Sequence, residues 1–184
     1  MHFESSFTDK EKKRIHYLVY AYLPNYPSYQ KYQLQKQGYE ASGEFYFLLS
    51  RLIPEEEGLM DMPEYQTALL NLVRAFGLRG LQEQDEWKYL KKQMEYIDGQ
   101  VRSQMIKDFL MDKITTRYVE KKGTDHLEEI VRFYHDNVKA PEKKQKFDDL
   151  CRKWVKLVKG QPSPVFTCRD IGGKEVCLTD LVKW

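Results

Sequence analysis

Apolar residues recur at helical spacing through the first 158 residues, and a proline or glycine interrupts the pattern before most new runs begin. The first run is typical, because Ile15, Leu18, Val19 and Tyr22 would share one apolar helix face that packs on the core. We expect helices that begin near Thr8, Pro27, Ser42, Asp61, Glu83, Gln100, Asp125 and Pro141. Short connections favour antiparallel neighbours. The sequence therefore predicts an all-α fold, an irregular bundle of about eight antiparallel helices with a C-terminal β-hairpin.

Several of these helices carry start or stop signals. Thr8 and Glu11 have the spacing of a capping box, in which each side chain bonds a backbone amide at the helix start. Asp61 and Asp125 are expected to cap the fourth and seventh helices. Gly77 is expected to follow the last residue of the fourth helix, where glycine is the favoured type.

Length and composition limit the class of protein. The chain has 184 residues, of which 41% are hydrophobic and 32% charged, so it is long enough for one domain with a sizeable core. A formal net charge of +2 gives no indication of nucleic-acid or anionic-membrane binding. No apolar run approaches the ~20 residues of a membrane span. The first residues lack the pattern of a signal peptide, so none is expected.

The helical pattern stops at residues 160–184. Pro162 and Pro164 interrupt it, and two β-like runs follow, at residues 165–169 and 175–178. Gly172 and Gly173 lie between the runs and can take the positive φ of a tight turn. This arrangement predicts the β-hairpin.

The register of that hairpin decides whether Cys168 and Cys177 can form a disulfide. A two-residue turn at the glycines would place the two cysteines opposite each other, which a cross-strand disulfide requires. A three-residue loop with a glycine bulge would instead pair Cys168 with Val176 and turn Cys177 away. The alternation of apolar residues favours the second register, so the disulfide is disfavoured. Cys151 lies on the apolar stripe of the last helix and is expected to be a buried structural thiol.

Other residues that could carry chemistry do not form a recognisable motif. The histidines, among them His126 and His135, lack companions at metal-ligand spacing, so neither a metal nor a cofactor is expected. Lysine and arginine dominate residues 139–159, but no aromatic and glycine platform accompanies them, which favours a solvated helix face over a nucleic-acid site. Glu55, Glu56 and Glu57 are expected to be a charged loop without a further role. No catalytic residue is predicted.

Tyrosine is concentrated near the start of the chain. Eight of the 13 tyrosines lie between residues 17 and 46. They could cover the rims of packed helices with their hydroxyl groups in water, or they could form a recognition surface, since tyrosine offers a large amphipathic contact. If a partner surface exists, Tyr26, Tyr29 and Tyr32 are the candidates, because they are three residues apart on one predicted helix.

The C-terminal residues also resemble a known family. The matching positions are Gly160, Pro162, Pro164, Phe166, Gly173, Val176, Leu178, Asp180 and Leu181. This pattern resembles the opening of a thioredoxin-like domain, of the thiol–disulfide oxidoreductase and peroxiredoxin superfamily. The resemblance implies a helical domain at residues 1–158, and a linker and opening hairpin of an incomplete thioredoxin-like domain at 159–184. The Cys-x-x-Cys motif of that family would follow Trp184, so no catalytic residue is carried over.

The helical part resembles, less specifically, the segment that precedes the redox domain in some envelope oxidoreductases. The similarity lies at residues 29–32, 75–79, 96–98 and 154–160. It implies a periplasmic or envelope protein in which these helices position the redox domain or a protein client, while the chain itself lacks reductase activity. A peroxiredoxin is a third and weaker interpretation of the same resemblance. The alternative hypothesis is a stand-alone helical adaptor that binds a protein or peptide through its tyrosine-rich face and has no redox role.

Overall fold

A computed structural model describes residues 5–35, 39–81, 85–155, 167–169 and 171–177 of the chain. Its helices are α1 (Ser5–Tyr20), α2 (Tyr26–Ser28), α3 (Gly43–Leu52), α4 (Pro63–Leu78), α5 (Glu86–Gln100), α6 (Gln104–Lys122), α7 (Leu127–Asn137) and α8 (Pro141–Val155). Two short strands follow, β1 (Thr167–Arg169) and β2 (Glu175–Cys177). The predicted all-α fold with a C-terminal hairpin is confirmed.

The predicted second helix is replaced by a series of short turns. A 3-10 turn, Leu23–Asn25, leads into the single turn of α2, and a π-helical turn, Tyr29–Gln33, follows it. Pro24 and Pro27 cannot donate a backbone hydrogen bond, so the chain closes tighter bonds such as Asn25 N–H to Tyr22 O at 3.0 Å. The result is a compact helical segment, residues 23–33, at the end of α1.

The predicted helix caps were mostly wrong. α1 begins at Ser5, so Thr8 lies inside the helix. The residue before α4 is Met62, and Asp61 instead forms an ion pair with Lys10 of α1 at 3.0 Å. Asp125 accepts the hydroxyl of Tyr118 at 2.9 Å instead of capping α7. These side chains found partners in other helices, which a local pattern does not reveal.

Gly77 lies within α4 and not after it. A Cβ atom built at this glycine would lie 2.5 Å from Cγ of Gln93 and 2.9 Å from the ring of Tyr89, both on α5. No larger side chain fits there without moving α5. The glycine therefore permits the close approach of α4 and α5.

Helices α4 to α8 pack in sequence, each against the next. In α5 and α6 the ion pair of Lys107 with Asp98 (3.4 Å) lies near the connection and that of Lys121 with Glu86 (2.8 Å) lies at the opposite end, so the two helices are antiparallel. Short connections make this arrangement the simplest way to bury both apolar faces. α8 also packs against α6, which closes this part of the bundle.

α1 lies along α4 in the same direction. The ion pair between Lys10 and Asp61 is at the N-terminal end of both helices, and near the C-terminal end Asn71 donates to Ala21 O at 2.8 Å. The intervening turns and α3 return the chain to the end from which it started.

The predicted core face of α1 is wrong. Its residues Ile15, Leu18, Val19 and Tyr22 are all exposed, and Tyr17 and Ala21 are buried instead. The ring of Tyr17 packs edge-on against Tyr65 with centroids 4.8 Å apart. Because α1 has apolar residues on two faces, periodicity alone could not identify the buried one.

The loop of Glu55, Glu56 and Glu57 connects several helices, so the prediction that it has no further role is wrong. Glu55 accepts the N–H groups of Arg102 (3.0 Å) and Ser103 (2.6 Å), which lie at the start of α6. A carboxylate there satisfies amides that lack helical partners and interacts favourably with the helix dipole. Glu56 binds Lys13 of α1 at 2.6 Å, and this hydrogen bond lowers the pKa of Glu56. The loop therefore connects α1, α4 and α6.

In the hairpin, Cys168 pairs with Val176 and Thr167 with Cys177. This is the register that the alternation of apolar residues predicted. Because neighbouring residues of a strand face opposite sides, the two cysteines lie on opposite faces of the hairpin. Gly173 has a φ of 80°, the left-handed conformation expected of the turn. The rest of the two predicted β-like runs lies outside the described residues.

None of the helices in the described residues combines the length and hydropathy that crossing a bilayer would require.

We predict that Tyr65→Phe lowers the free energy of unfolding by about 1–3 kcal/mol. Tyr65 is fully buried, and its hydroxyl donates to Pro54 O at 2.9 Å while accepting from Glu56 N at 2.7 Å. Without the hydroxyl, that backbone amide and carbonyl lose their partner. Urea unfolding followed by circular dichroism measures the change. Tyr22→Phe, at a residue that is 73% exposed, is the matched control and should change stability by less than about 0.5 kcal/mol. Equal stability of the two variants would contradict the prediction.

We predict that thiol reagents at pH 8 modify Cys168 much faster than Cys151 in the folded protein. Cys168 is exposed, whereas burial raises the pKa of Cys151 to about 11, with Asp148 adding to the effect. Since the thiolate is the reactive form, only roughly a thousandth of buried Cys151 is reactive at pH 8, and burial also blocks the reagent. Mass spectrometry after brief iodoacetamide treatment reports each site, and urea should abolish the difference. Comparable rates without urea would show that Cys151 is not buried.

Candidate partner-binding groove

The compact helical segment forms one wall of a groove on the surface of the bundle. Pro24 is buried, and the turn that contains it packs against α4. Residues 39–41, Tyr46 of α3 and residues 78–81 also line the groove. The groove thus exists because two prolines stop α1 from continuing past α4.

We call this the tyrosine groove. It has a volume of about 160 Å³ and is lined by Pro24, Pro27, Ser28, Lys31, Tyr32, Tyr39, Glu40, Ala41, Tyr46, Ala75, Leu78, Arg79, Gly80 and Leu81. Nine of the 14 lining residues are aromatic or aliphatic, and three are charged.

A series of aromatic contacts supports the groove from beneath. Tyr26 packs edge-on against Tyr39 (6.2 Å between centroids) and also contacts Phe45 at 6.0 Å. Phe45 packs on Tyr46 at 5.6 Å, and Tyr46 on Phe76 of α4 at 5.3 Å. The rings run continuously from the surface into the core. The groove wall is therefore held by packing and not by a mobile loop alone.

Tyr46 is the buried ring at the base of the groove. Burial raises the pKa of its hydroxyl; Arg79 opposes this effect, and Glu40 and Tyr39 add to it. The pKa of Tyr39 is also raised, first by desolvation and then by Tyr26. Desolvation is the first cause of both pKa shifts.

Two cations lie over aromatic rings in the groove. The guanidinium carbon of Arg79 is 4.8 Å from the ring centroid of Tyr46, and Lys31 Nζ is 5.4 Å from that of Tyr32. Within the described part of the chain, neither cation forms an ion pair with a carboxylate. Glu40 is the acidic residue of the lining.

A larger cleft of about 540 Å³ lies between the start of α5 and the end of α6. Its charges are already paired with one another: Lys88 with Asp85 at 3.0 Å, and Lys122 with Glu86 at 3.3 Å. Its Tyr118 hydroxyl is bound to Asp125, as described above. The polar groups of this cleft serve the helix ends, so we favour the smaller groove as the functional site.

The structure places the predicted tyrosines at different distances from the groove. Tyr26, Tyr29 and Tyr32 are between 44% and 53% exposed. Tyr32 lines the groove, Tyr26 lies behind Tyr39, and Tyr29 is not part of the lining. The predicted single surface is thus divided, because the turns of the segment do not follow the spacing of a regular helix.

Sequence reasoning counted Tyr39 and Tyr46 in the tyrosine-rich stretch without singling them out, and it did not identify Arg79 as a groove residue. The two tyrosines belong to the tyrosine-rich stretch and could have been included on that signal. Arg79 lies at the end of α4, 33 residues beyond Tyr46, and no local pattern marks it. Its position over Tyr46 depends on how α3 packs on α4.

The remaining predicted features do not form a second site. Cys168 and Cys177 lie on opposite faces of the hairpin, as the register requires. Among the described residues, no three or more histidine, cysteine, aspartate or glutamate side chains are arranged to hold a metal ion.

Comparison with known proteins yields no relative. No family model matches the chain, and neither the curated proteins nor the solved structures provide a match.

Proposed function

We propose that the helical bundle is a non-catalytic domain that binds a segment of a partner protein in the tyrosine groove. The observation that carries the proposal is the convergence of Tyr32, Tyr39 and Tyr46 on one groove, whose two cations have no carboxylate partner in the described part of the chain. Tyrosine and arginine are the residue types that most often dominate protein interfaces. The tyrosine groove contains both tyrosine and arginine, and aromatic contacts hold its wall in place.

The groove is large enough for one side chain of a peptide and smaller than the usual cofactor pocket. Pockets for cofactors and drug-sized ligands usually enclose about 300–1,000 Å³. The 160 Å³ found here accommodates about one large side chain. A partner segment would insert one residue and lay its neighbours along the exposed tyrosines.

The tyrosines are suited to this role because fixing their side chains on binding costs little conformational entropy. Tyr32 is half exposed, and its ring has few rotatable bonds, so a partner gains contact area at a small entropic cost. Tyr39 is already held by Tyr26. Such preorganisation favours affinity.

We predict that peptides selected from a random display library against the full chain bind in the groove. Tyr32→Ala should weaken the selected peptides by about tenfold or more, as measured by fluorescence polarisation. Tyr22→Ala removes an even more exposed tyrosine outside the groove and should leave affinity unchanged.

Circular dichroism of both variants checks that each remains folded. Two outcomes would contradict the proposed function: no peptide is enriched, or the enriched peptides bind the Tyr32 variant as tightly as the original chain.

A second candidate function makes the bundle an accessory domain of a thioredoxin-like thiol–disulfide oxidoreductase. The resemblance of residues 160–181 supports it, and so does the hairpin, in which Val176 pairs with Cys168. The other matched positions, apart from Gly173, lie outside the described residues. Under this candidate the partner is the redox domain or its client, and the setting is the periplasm or cell envelope.

This candidate predicts that the chain by itself does not reduce insulin disulfides in the presence of dithiothreitol above the uncatalysed rate. Cys168 and Cys177 face opposite sides of the hairpin, so they are not placed to act as a dithiol pair. Turbidity of precipitating insulin measures the rate. Turnover that disappears in Cys168→Ser or Cys177→Ser would show that the hairpin is itself catalytic.

A further inference from the structure

We infer that the tyrosine groove selects acidic partner segments, in which a glutamate or aspartate side chain lies next to an aromatic or aliphatic residue. The inference rests on the proposed function and names the class of segment that the groove would take. It follows from the charges of the groove, their orientation by aromatic rings and the apolar surface beside them.

Arg79 is positioned as a carboxylate receptor. Its guanidinium lies over the ring of Tyr46, and its backbone carbonyl accepts a hydrogen bond from Lys92 Nζ at 2.9 Å. Packing a guanidinium against a ring covers its face and leaves the N–H groups at its edge available. Those groups match the two oxygens of a carboxylate in a bidentate geometry.

Lys31 provides a second positive charge in the same groove. Its ammonium lies over the ring of Tyr32, which restricts the long side chain, and both residues line the groove. A carboxylate in the groove would meet a planar donor, Arg79, and a point charge, Lys31. Together the two cations attract an anion more strongly than either does alone.

Among the described residues, the two cations that line the groove lack the carboxylate partners that three cations of α1 have. Lys10, Lys13 and Arg14 of α1 are all within 3.1 Å of a carboxylate. Within the described residues, Lys31 and Arg79 have no such partner, and Glu40 leaves the lining with one net positive charge. A partner carboxylate would supply the missing charge.

The apolar part of the lining determines what accompanies the acid. Pro27, Leu78 and Leu81 are partly exposed in the groove lining and offer a small apolar surface that a methylene-rich or aromatic side chain can cover. Burying that surface supplies affinity, and the cations supply specificity. A partner segment with an acidic residue but no apolar neighbour would leave this surface exposed to water.

The test compares each groove-binding peptide with its glutamine or asparagine counterpart, synthesised with amidated C termini. The acidic form should bind at least about tenfold more tightly to the full chain. Arg79→Gln and Lys31→Gln should remove most of that preference. Raising the salt concentration from about 0.05 M to about 0.5 M should reduce it too.

Two control variants match these substitutions. Arg51 lies 5.2 Å from the ring centroid of Phe47, and Lys113 lies 6.0 Å from that of Phe109, both outside the groove. Arg51→Gln and Lys113→Gln remove the same charges from similar stacked positions and should leave peptide affinity within about twofold. Thermal unfolding confirms that all four variants are folded.

The outcomes separate the inference from the proposed function. Peptides that require Tyr32 but bind equally well in acidic and amide forms would overturn the acidic preference and leave the proposed function intact. The acidic preference would also be overturned if it appeared only in peptides with a free C terminus, or if it were unchanged in Arg79→Gln. Loss of all Tyr32-dependent binding would reject the proposed function instead.

Discussion

The arrangement of the helices depends on the buried hydroxyl of Tyr65. It binds the backbone on both sides of Glu55, and so fixes the loop from which Glu55 and Glu56 reach α6 and α1. A buried phenol that loses its partners is costly, so the loop has little freedom to move. Burial raises the pKa of Tyr65 to about 12, as expected of a phenol withdrawn from water. Three helices are thus held in register by one side chain of α4.

The same helix determines where the groove forms. α1 follows α4 until Pro24 and Pro27 shorten the helical turns, and the chain then passes over the C-terminal end of α4. Arg79 immediately follows that end, and Phe76 one turn earlier supports Tyr46. The groove is therefore a consequence of two prolines and of the length of α4, and its wall is continuous with the core.

The contrast between the larger cleft and the tyrosine groove is the reason that we propose the groove as the site. In the larger cleft, lysines and acids satisfy each other, so a ligand would have to replace existing ion pairs. In the tyrosine groove, the rings hold two cations that have no carboxylate partner among the described residues. A ligand gains more binding free energy at a site where it does not have to break existing ion pairs. The exposed apolar face of α1 is a further surface, but it lacks charged groups comparable to Arg79 and Lys31 that would indicate a partner.

By itself, the sequence determined the helical architecture, the positions of most helices and the register of the hairpin. These follow from interactions between near neighbours: apolar spacing, breaks at proline and the alternation of a strand. Tertiary structure decided which face of α1 is buried, the partners of Glu55 and Asp61, and the meeting of Tyr32, Tyr46 and Arg79. Each of these joins residues that are far apart in the chain. Their contacts depend on the packing of whole helices, and a local pattern is compatible with several packings until the core selects one.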